Sequence, residues 1–120
     1  MNEPGIYVDC AKLRKLIIYS LVGMTKVERM LYAERAVVES GEVIADFVMA
    51  YKFQEERIKY IHKMVADFEV LKVDLRFLAE LGTFRGKKDK NGDVIIEREI
   101  FECVARIDDG ITKYSRSVKA

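Results

Sequence analysis

Few side chains in this sequence are of a type that does chemistry, and their spacing keeps those few apart. His62 is the single histidine, with Lys59 and Lys63 beside it and no cysteine or carboxylate set at ligand spacing. It reads as a surface or boundary residue. A Cys–His nucleophile pair would need a third, orienting group and a cleft, and nothing in the sequence places either. Cys10 and Cys103 fit no zinc spacing. They can pair only if the first and last helices bring them together; otherwise they are reduced, mostly buried thiols. Glu55/Glu56 and Asp108/Asp109 are adjacent pairs whose members point in different helical directions, so they read as solvated faces. A di-metal bundle would require Glu-x-x-His motifs that the chain lacks. Asp89-Lys90-Asn91-Gly92-Asp93 looks superficially like a calcium loop. Its sixth position would be Val94 where glycine is required, and its twelfth Ile100 where a bidentate glutamate is required. No phosphate-cradling glycine motif exists. With no convergent set of titratable groups, neither an enzyme nor a bound metal or cofactor is expected.

What remains is local charge. Residues 83–93 carry four basic and two acidic side chains, and residues 113–120 carry Lys113, Arg116 and Lys119 with no acid. The N-terminal helix adds Lys12, Arg14 and Lys15. In an up-down bundle the last helix ends at the pole where the first begins. The basic tail and the helix-one cluster could then form one positive surface, with the 83–93 loop at the other pole. Solvated surface is the plain reading of these cations, and phosphate binding the sharper one.

The elements that must position them are helices. Leu13, Leu16, Ile17, Ser20, Leu21 and Met24 follow helical spacing, giving a first helix over about 9–22 that starts after an irregular Pro4-Gly5 and ends at Gly23. Thr25-Lys26-Val27-Glu28 is a capping box that starts a second helix over about 26–51. Its expected inward residues are Val27, Met30, Leu31, Val37, Val38, Ile44, Val48 and Tyr51. Gly41 inside it costs roughly 1 kcal/mol relative to alanine, which a close helix approach would offset; a kink is the alternative. A continuous helix on to Gly82 would run about 87 Å at about 1.5 Å per residue, too long for a domain this small, so a turn is expected near 52–54. The third helix, about 55–81, has the strongest stripe: Ile58, Ile61, Val65, Phe68, Leu71, Leu75 and Leu78, widened by Met64, Val70, Phe77 and Leu81. Gly82 closes it. Asn91-Gly92 marks a turn, and residues 83–93 form either a basic loop or a small β-hairpin. The fourth helix, about 94–118 with Asp93 as N-cap, carries Ile100, Val104, Ile107, Ile111, Tyr114 and Val118 at heptad spacing. Four amphipathic helices with short connections predict one all-α domain over 1–120, an antiparallel up-down-up-down four-helix bundle.

Composition agrees. The chain has 120 residues, 50% of them apolar and 34% charged, a globular balance of one-domain size. Its formal net charge of +1 argues against nucleic-acid binding driven by overall charge, although patches exist at any net charge. The opening Met1-Asn2-Glu3-Pro4-Gly5 is acidic and broken, unlike a signal peptide, and no apolar run reaches membrane-spanning length. The cytoplasm is the expected compartment.

Three segments carry a resemblance. They are Thr25-Lys26-Val27-Glu28-Arg29, the run Val70-Leu71-Lys72-Val73-Asp74-Leu75-Arg76-Phe77-Leu78-Ala79-Glu80-Leu81, and the spacing of Ile107, Ile111 and Tyr114 ahead of Ser115-Arg116-Ser117. Together they resemble the four-helix-bundle family that includes the accessory variability determinant proteins of diversity-generating retroelements. Proteins encoded in intervening sequences of large-subunit ribosomal RNA genes are relatives within it. The resemblance implies a small homo-oligomer, a pentameric barrel in the best-known members. It would bind RNA or DNA through a basic surface and associate with the retroelement reverse transcriptase, with no enzymatic activity of its own. Lys26, Arg29 and Arg76 match family basic positions. With Lys113, Arg116 and Lys119 they are the expected nucleic-acid or partner contacts, Arg76 having a bundle salt bridge to Glu80 as its alternative. The competing expectation is an oligomeric protein-interaction scaffold without nucleic-acid affinity, which suits the near-neutral charge.

Overall fold

Four rods of helix account for most of the chain in the computed structural model, which describes residues 3–119 and the side chains of 5–118. Helix α1 (Glu3–Ser20) passes through a 3-10 turn (Leu21–Gly23). The second rod opens with the single turn α2 (Lys26–Glu28), widens through a π-helical segment (Arg29–Ala33) and continues as α3 (Glu34–Lys52). A 3-10 turn (Gln54–Glu56) leads into α4 (Arg57–Glu80), and α5 (Ile95–Lys119) follows the longest connection. The rods pack as a four-helix bundle, with α1 and α4 each lying against both α3 and α5. Among the described residues no helix is long and apolar enough to cross a membrane.

Local chemistry explains the ends. Helix α1 begins at Glu3, six residues before the expected Asp9. Pro4 falls in the first turn, where its missing N–H has no intrahelical acceptor to lose and its fixed φ suits the helix. Gly23 does not cap α1 with a positive φ. It admits the backbone of the longest connection instead: a Cβ there would stand 3.2 Å from the Arg85 carbonyl oxygen. The capping box forms as expected, with the Glu28 N–H donating to Thr25 Oγ1 and the Thr25 N–H to Glu28 Oε1. The turn after Lys52 needs neither glycine nor proline. The Phe53 N–H donates to the Met49 carbonyl at 2.9 Å, and Arg57 Nε donates to that of Ala50 at 3.3 Å, satisfying carbonyls the helix end would orphan. Gly82, at φ +70°, closes α4 in a Schellman motif: Thr83 N–H donates to Leu78 and Gly82 N–H to Ala79.

In the connection 83–94 an isolated antiparallel bridge joins Lys88 and Val94, and the Asp89 carboxylate accepts the N–H groups of Asn91 and Asp93. Asp93 belongs to that turn, and α5 starts at Ile95 with the Arg98 N–H donating to the Val94 carbonyl, so Asp93 is not its N-cap.

Steps of three and four build the core. Ile6, Cys10, Leu13 and Ile17 come from α1; Ile61, Met64, Phe68, Leu71, Leu75 and Leu78 from α4; Ile100, Cys103, Ile107, Ile111 and Tyr114 from α5. Each fully buried leucine contributes roughly 2 kcal/mol, more than a typical exposed ion pair. The second rod departs from expectation. Its buried seam is Ala33, Ala36, Ser40, Val43, Phe47 and Ala50. Val27, Met30, Leu31, Val38, Val48 and Tyr51 are exposed, while Val37 and Ile44 are half-buried. Small residues hold the seam because they admit the neighbouring helices closely, and the π-helical turn puts Val27 and Met30 out of register with α3. On α4, Ile58, Val65, Val70 and Phe77 also lie outside, as does Leu81 just past its end. On α5, Val104 and Val118 are half-buried and Cys103 takes the core position.

Candidate functional site

Cross-helix contacts divide the bundle into two ends. Arg85 donates from Nη1 to the Gly23 carbonyl and grips Glu28 with both terminal nitrogens, at 2.6 and 2.9 Å. The Tyr32 and Phe77 rings meet edge-on at 5.3 Å. These contacts gather the start of the second rod and the end of α4 at one end. At the other, Ile6 packs on Gly110, and Phe47 lies against Tyr7 and Tyr114. The molecule extends 44 Å along its longest axis.

The residues expected to form one site therefore fall into two groups. Lys26, exposed at the first position of α2, and Arg76, exposed on α4, lie at the Arg85 end, and neither enters an ion pair among the described residues. The alternative Arg76–Glu80 bridge does not form. Arg29 is half-buried and donates from Nη1 to the Met24 carbonyl at 3.1 Å, bracing the turn before α2. Lys113 and Arg116 lie at the far end. Lys113 pairs with Asp109 at 3.0 Å across an exposed helix turn, a contact worth little in water. Arg116 lines an open groove between α4 and α5 with Glu69, Asp108 and Thr112. The Lys119 side chain lies outside the described residues.

The cations around these groups are unevenly free. Arg14 of the helix-one cluster packs its guanidinium on Gly41, 3.3 Å from where a Cβ would stand, while Lys12 and Lys15 are exposed. Gly41 is thus the site of a close approach by a side chain. In the 83–93 segment Arg85 is held by Glu28, but Lys87 and Lys90 are exposed and enter no ion pair among the described residues. The Arg85 guanidinium, first, and the Thr25 N–H, next, draw Glu28 down to about 2.

Sequence reading missed a polar seam between α3 and α4. Arg35 forms a two-pronged bond to Asp74, at 2.8 and 3.1 Å, beside Glu39. Lower on the same seam Lys63 bridges Asp46 and Asp67 at 3.2 and 2.8 Å. Glu39 and Asp46 are buried, and Glu39 Oε1 and Asp46 Oδ2 find no hydrogen-bond partner. Burial, first, then Asp74 pushes Glu39 up to about 8; burial, first, then Asp67 pushes Asp46 up to about 7. The signal was present as Glu39, Ser40 and Asp46 recurring at core spacing among alanines. Among the described residues no group of three or more His, Cys, Asp or Glu side chains is arranged to hold a metal ion. Comparison with protein-family models, curated proteins and solved structures finds no match.

Proposed function

We propose that this chain is a non-enzymatic accessory protein of a diversity-generating retroelement. In this reading its four helices run up-down-up-down, it assembles as a small homo-oligomer in the cytoplasm, and it binds RNA or DNA together with a reverse transcriptase. The topology is supported by pairs that run in opposite senses along neighbouring helices: Arg35 with Asp74 and Asp46 with Lys63 between α3 and α4, and Ile6 with Gly110 and Asp9 with Arg106 between α1 and α5. The observation that carries the nucleic-acid part is the set of uncommitted cations Lys26, Lys87 and Lys90 at the end where Arg85 joins Glu28. A cation without an internal partner can neutralise a phosphate without first breaking an ion pair. Arg116 gives the far end one such group.

Fluorescence-anisotropy titration of a structured RNA at about 50 and about 200 mM salt tests this, because phosphate-driven binding weakens steeply over that range. Replacing Lys26 and Lys87, or Arg116 and Lys119, by alanine should lower the salt slope by about one for each phosphate left without its cation. Absence of binding at the lower salt removes the nucleic-acid role. The second reading, an oligomeric protein-interaction scaffold, then stands, favoured by the apolar side chains exposed on the outer faces of α3 and α4.

A further inference from the structure

An open groove of about 350 Å³ lies between the end of α1 and the start of α5, lined by Leu16 and Tyr19 of α1, Lys87 of the connection, and Ile95, Ile96 and Glu99 of α5. That volume falls in the range of small-ligand sites, ~300–1,000 Å³. Backbone chemistry builds its walls. The Ile95 N–H donates to the Lys87 carbonyl at 2.9 Å, which ties the connection to the first turn of α5. Gly86, at φ +141°, adopts a backbone that side chains resist. It separates Arg85, held on Glu28, from Lys87, which is exposed and enters no ion pair among the described residues.

The lining selects the occupant. Tyr19 is 62% exposed and meets no other ring among the described residues, so it is open to a stacking partner. Leu16, Ile95 and Ile96 are half-buried and offer apolar surface beside it. Charge sorts the two parts of a nucleotide. Glu99 is half-buried, with no ion-pair partner among the described residues; its carboxylate accepts base N–H groups and repels phosphate, whereas Lys87 attracts phosphate. The base therefore takes the groove and its phosphate the lysine. Lys15 lies one turn before Tyr19 and Lys12 one turn before Leu16, so both continue the same flank of α1. Both are exposed and enter no ion pair among the described residues, so they extend a run of cations for the neighbouring phosphates. A duplex keeps its bases within the stack and cannot offer a ring to Tyr19; an unpaired strand can.

We propose that this groove takes one base of an unpaired nucleic-acid strand, stacked on Tyr19, with the strand's phosphates on Lys87 and the α1 lysines. This rests on the nucleic-acid reading above and names the form of nucleic acid and the contact that selects it.

Fluorescence anisotropy of the whole chain at about 50 mM salt tests it, with a labelled oligoribonucleotide of about 15 nucleotides offered as single strand and as perfect duplex. The single strand should bind roughly 10-fold tighter than the duplex. Tyr19→Ala, on a side chain already exposed, should lose that roughly 10-fold with helicity unchanged, and should leave duplex binding as it was. Tyr19→Phe keeps the ring and should keep the affinity. Lys87→Ala should instead lower the single-strand salt slope by about 0.7, one phosphate's share. Equal affinity for strand and duplex, or a single strand indifferent to Tyr19→Ala, overturns the groove while the nucleic-acid reading stands. A Tyr19→Phe as weak as Tyr19→Ala overturns the stacking. Absence of binding to either form overturns both the groove and the nucleic-acid reading.

Discussion

Glu39 on α3 and Asp74 on α4 face each other across the seam, with one guanidinium closing over both. Arg35 Nη2 lies 2.8 Å from Asp74 Oδ1, and its Nε 3.9 Å from Glu39. Asp46 and Asp67 repeat the arrangement under Lys63. One cation per two carboxyls favours a proton on one acid of each pair: on Glu39, because Arg35 gives its two-pronged bond to Asp74, and on Asp46, the more buried of its pair. Burial works to raise Asp74, but the neighbouring Glu39 and the Arg35 guanidinium outweigh it and keep Asp74 below the usual carboxylate range, and Asp67 is lowered chiefly by Asp46.

These directions fix how stability varies with pH. Glu39 and Asp46 are raised in the fold, to about 8 and about 7 from 4.5 and 3.8. Between those limits the native state holds protons the unfolded chain has released, so their contribution is intact at the acid limit and declines as pH rises to about 8. Asp74 and Asp67 are lowered, so theirs is present above the ordinary aspartate value of 3.8 and lost below it. The Tm should therefore peak near about pH 5 and fall toward about pH 8. Glu39→Gln with Asp46→Asn, whose amides donate as the protonated acids do, should flatten that fall. An unchanged slope in the double variant would place its origin elsewhere.

Two helical glycines should respond oppositely to alanine. At Gly41 the nearest atoms belong to the Arg14 guanidinium, the mobile end of a long side chain, at 3.3 Å and beyond. Gly41→Ala should raise stability by up to about 1 kcal/mol, the helix propensity gained. At Gly110 a Cβ would meet Ile6 Cγ1 at 2.9 Å, and Ile6 is buried. Gly110→Ala should cost about 1–3 kcal/mol through overpacking, and Ile6→Ala in the same chain should recover part of it. Denaturant midpoints at constant m would measure both.

What the sequence made legible was periodicity and punctuation. The capping box at Thr25, the stop at Gly82 and the turn after Lys52 depend on chemistry within four or five residues, and they stand within two residues of expectation. The seam of the second rod was misread because its buried residues are small. Ala33, Ala36 and Ala50 carry little hydrophobic signal beside Leu31, Val38 and Tyr51, and burial follows register, not side-chain size. The cations were legible as residues and not as a site. Whether Arg29 faces solvent or the Met24 carbonyl, and whether Lys113 finds Asp109, is decided by contacts no local pattern encodes.

The start of the second rod makes its own prediction. Thr25 Oγ1 accepts the Glu28 N–H at 3.1 Å, and the glutamate that completes the box also binds Arg85. Thr25→Ala should cost about 1 kcal/mol by orphaning that N–H, whereas Thr25→Ser should be nearly neutral. Arg85→Ala leaves the cap intact and loosens only the link to the longest connection. Hydrogen exchange should then rise in residues 83–94 for Arg85→Ala and in residues 25–33 for Thr25→Ala. The reverse pattern would mean that the two contacts are not separable.

The two thiols should behave as core side chains that happen to be sulfur. Cys10 and Cys103 are free and buried in the helices α1 and α5 that pack together. Burial, then the Asp9 carboxylate, then Cys103 pushes the Cys10 thiol up to about 12. Burial also raises Cys103, against the lowering pull of Arg106, whose Nη2 donates to its sulfur at 3.2 Å. A thiol near 12 is ionised in only about one molecule in 10⁴ at pH 8, and the thiolate is the nucleophile. An aromatic disulfide reagent should therefore label neither cysteine in the native protein on the timescale of free thiol, and both in denaturant, at a rate set by unfolding. Rapid labelling of either cysteine in the native state would contradict its burial.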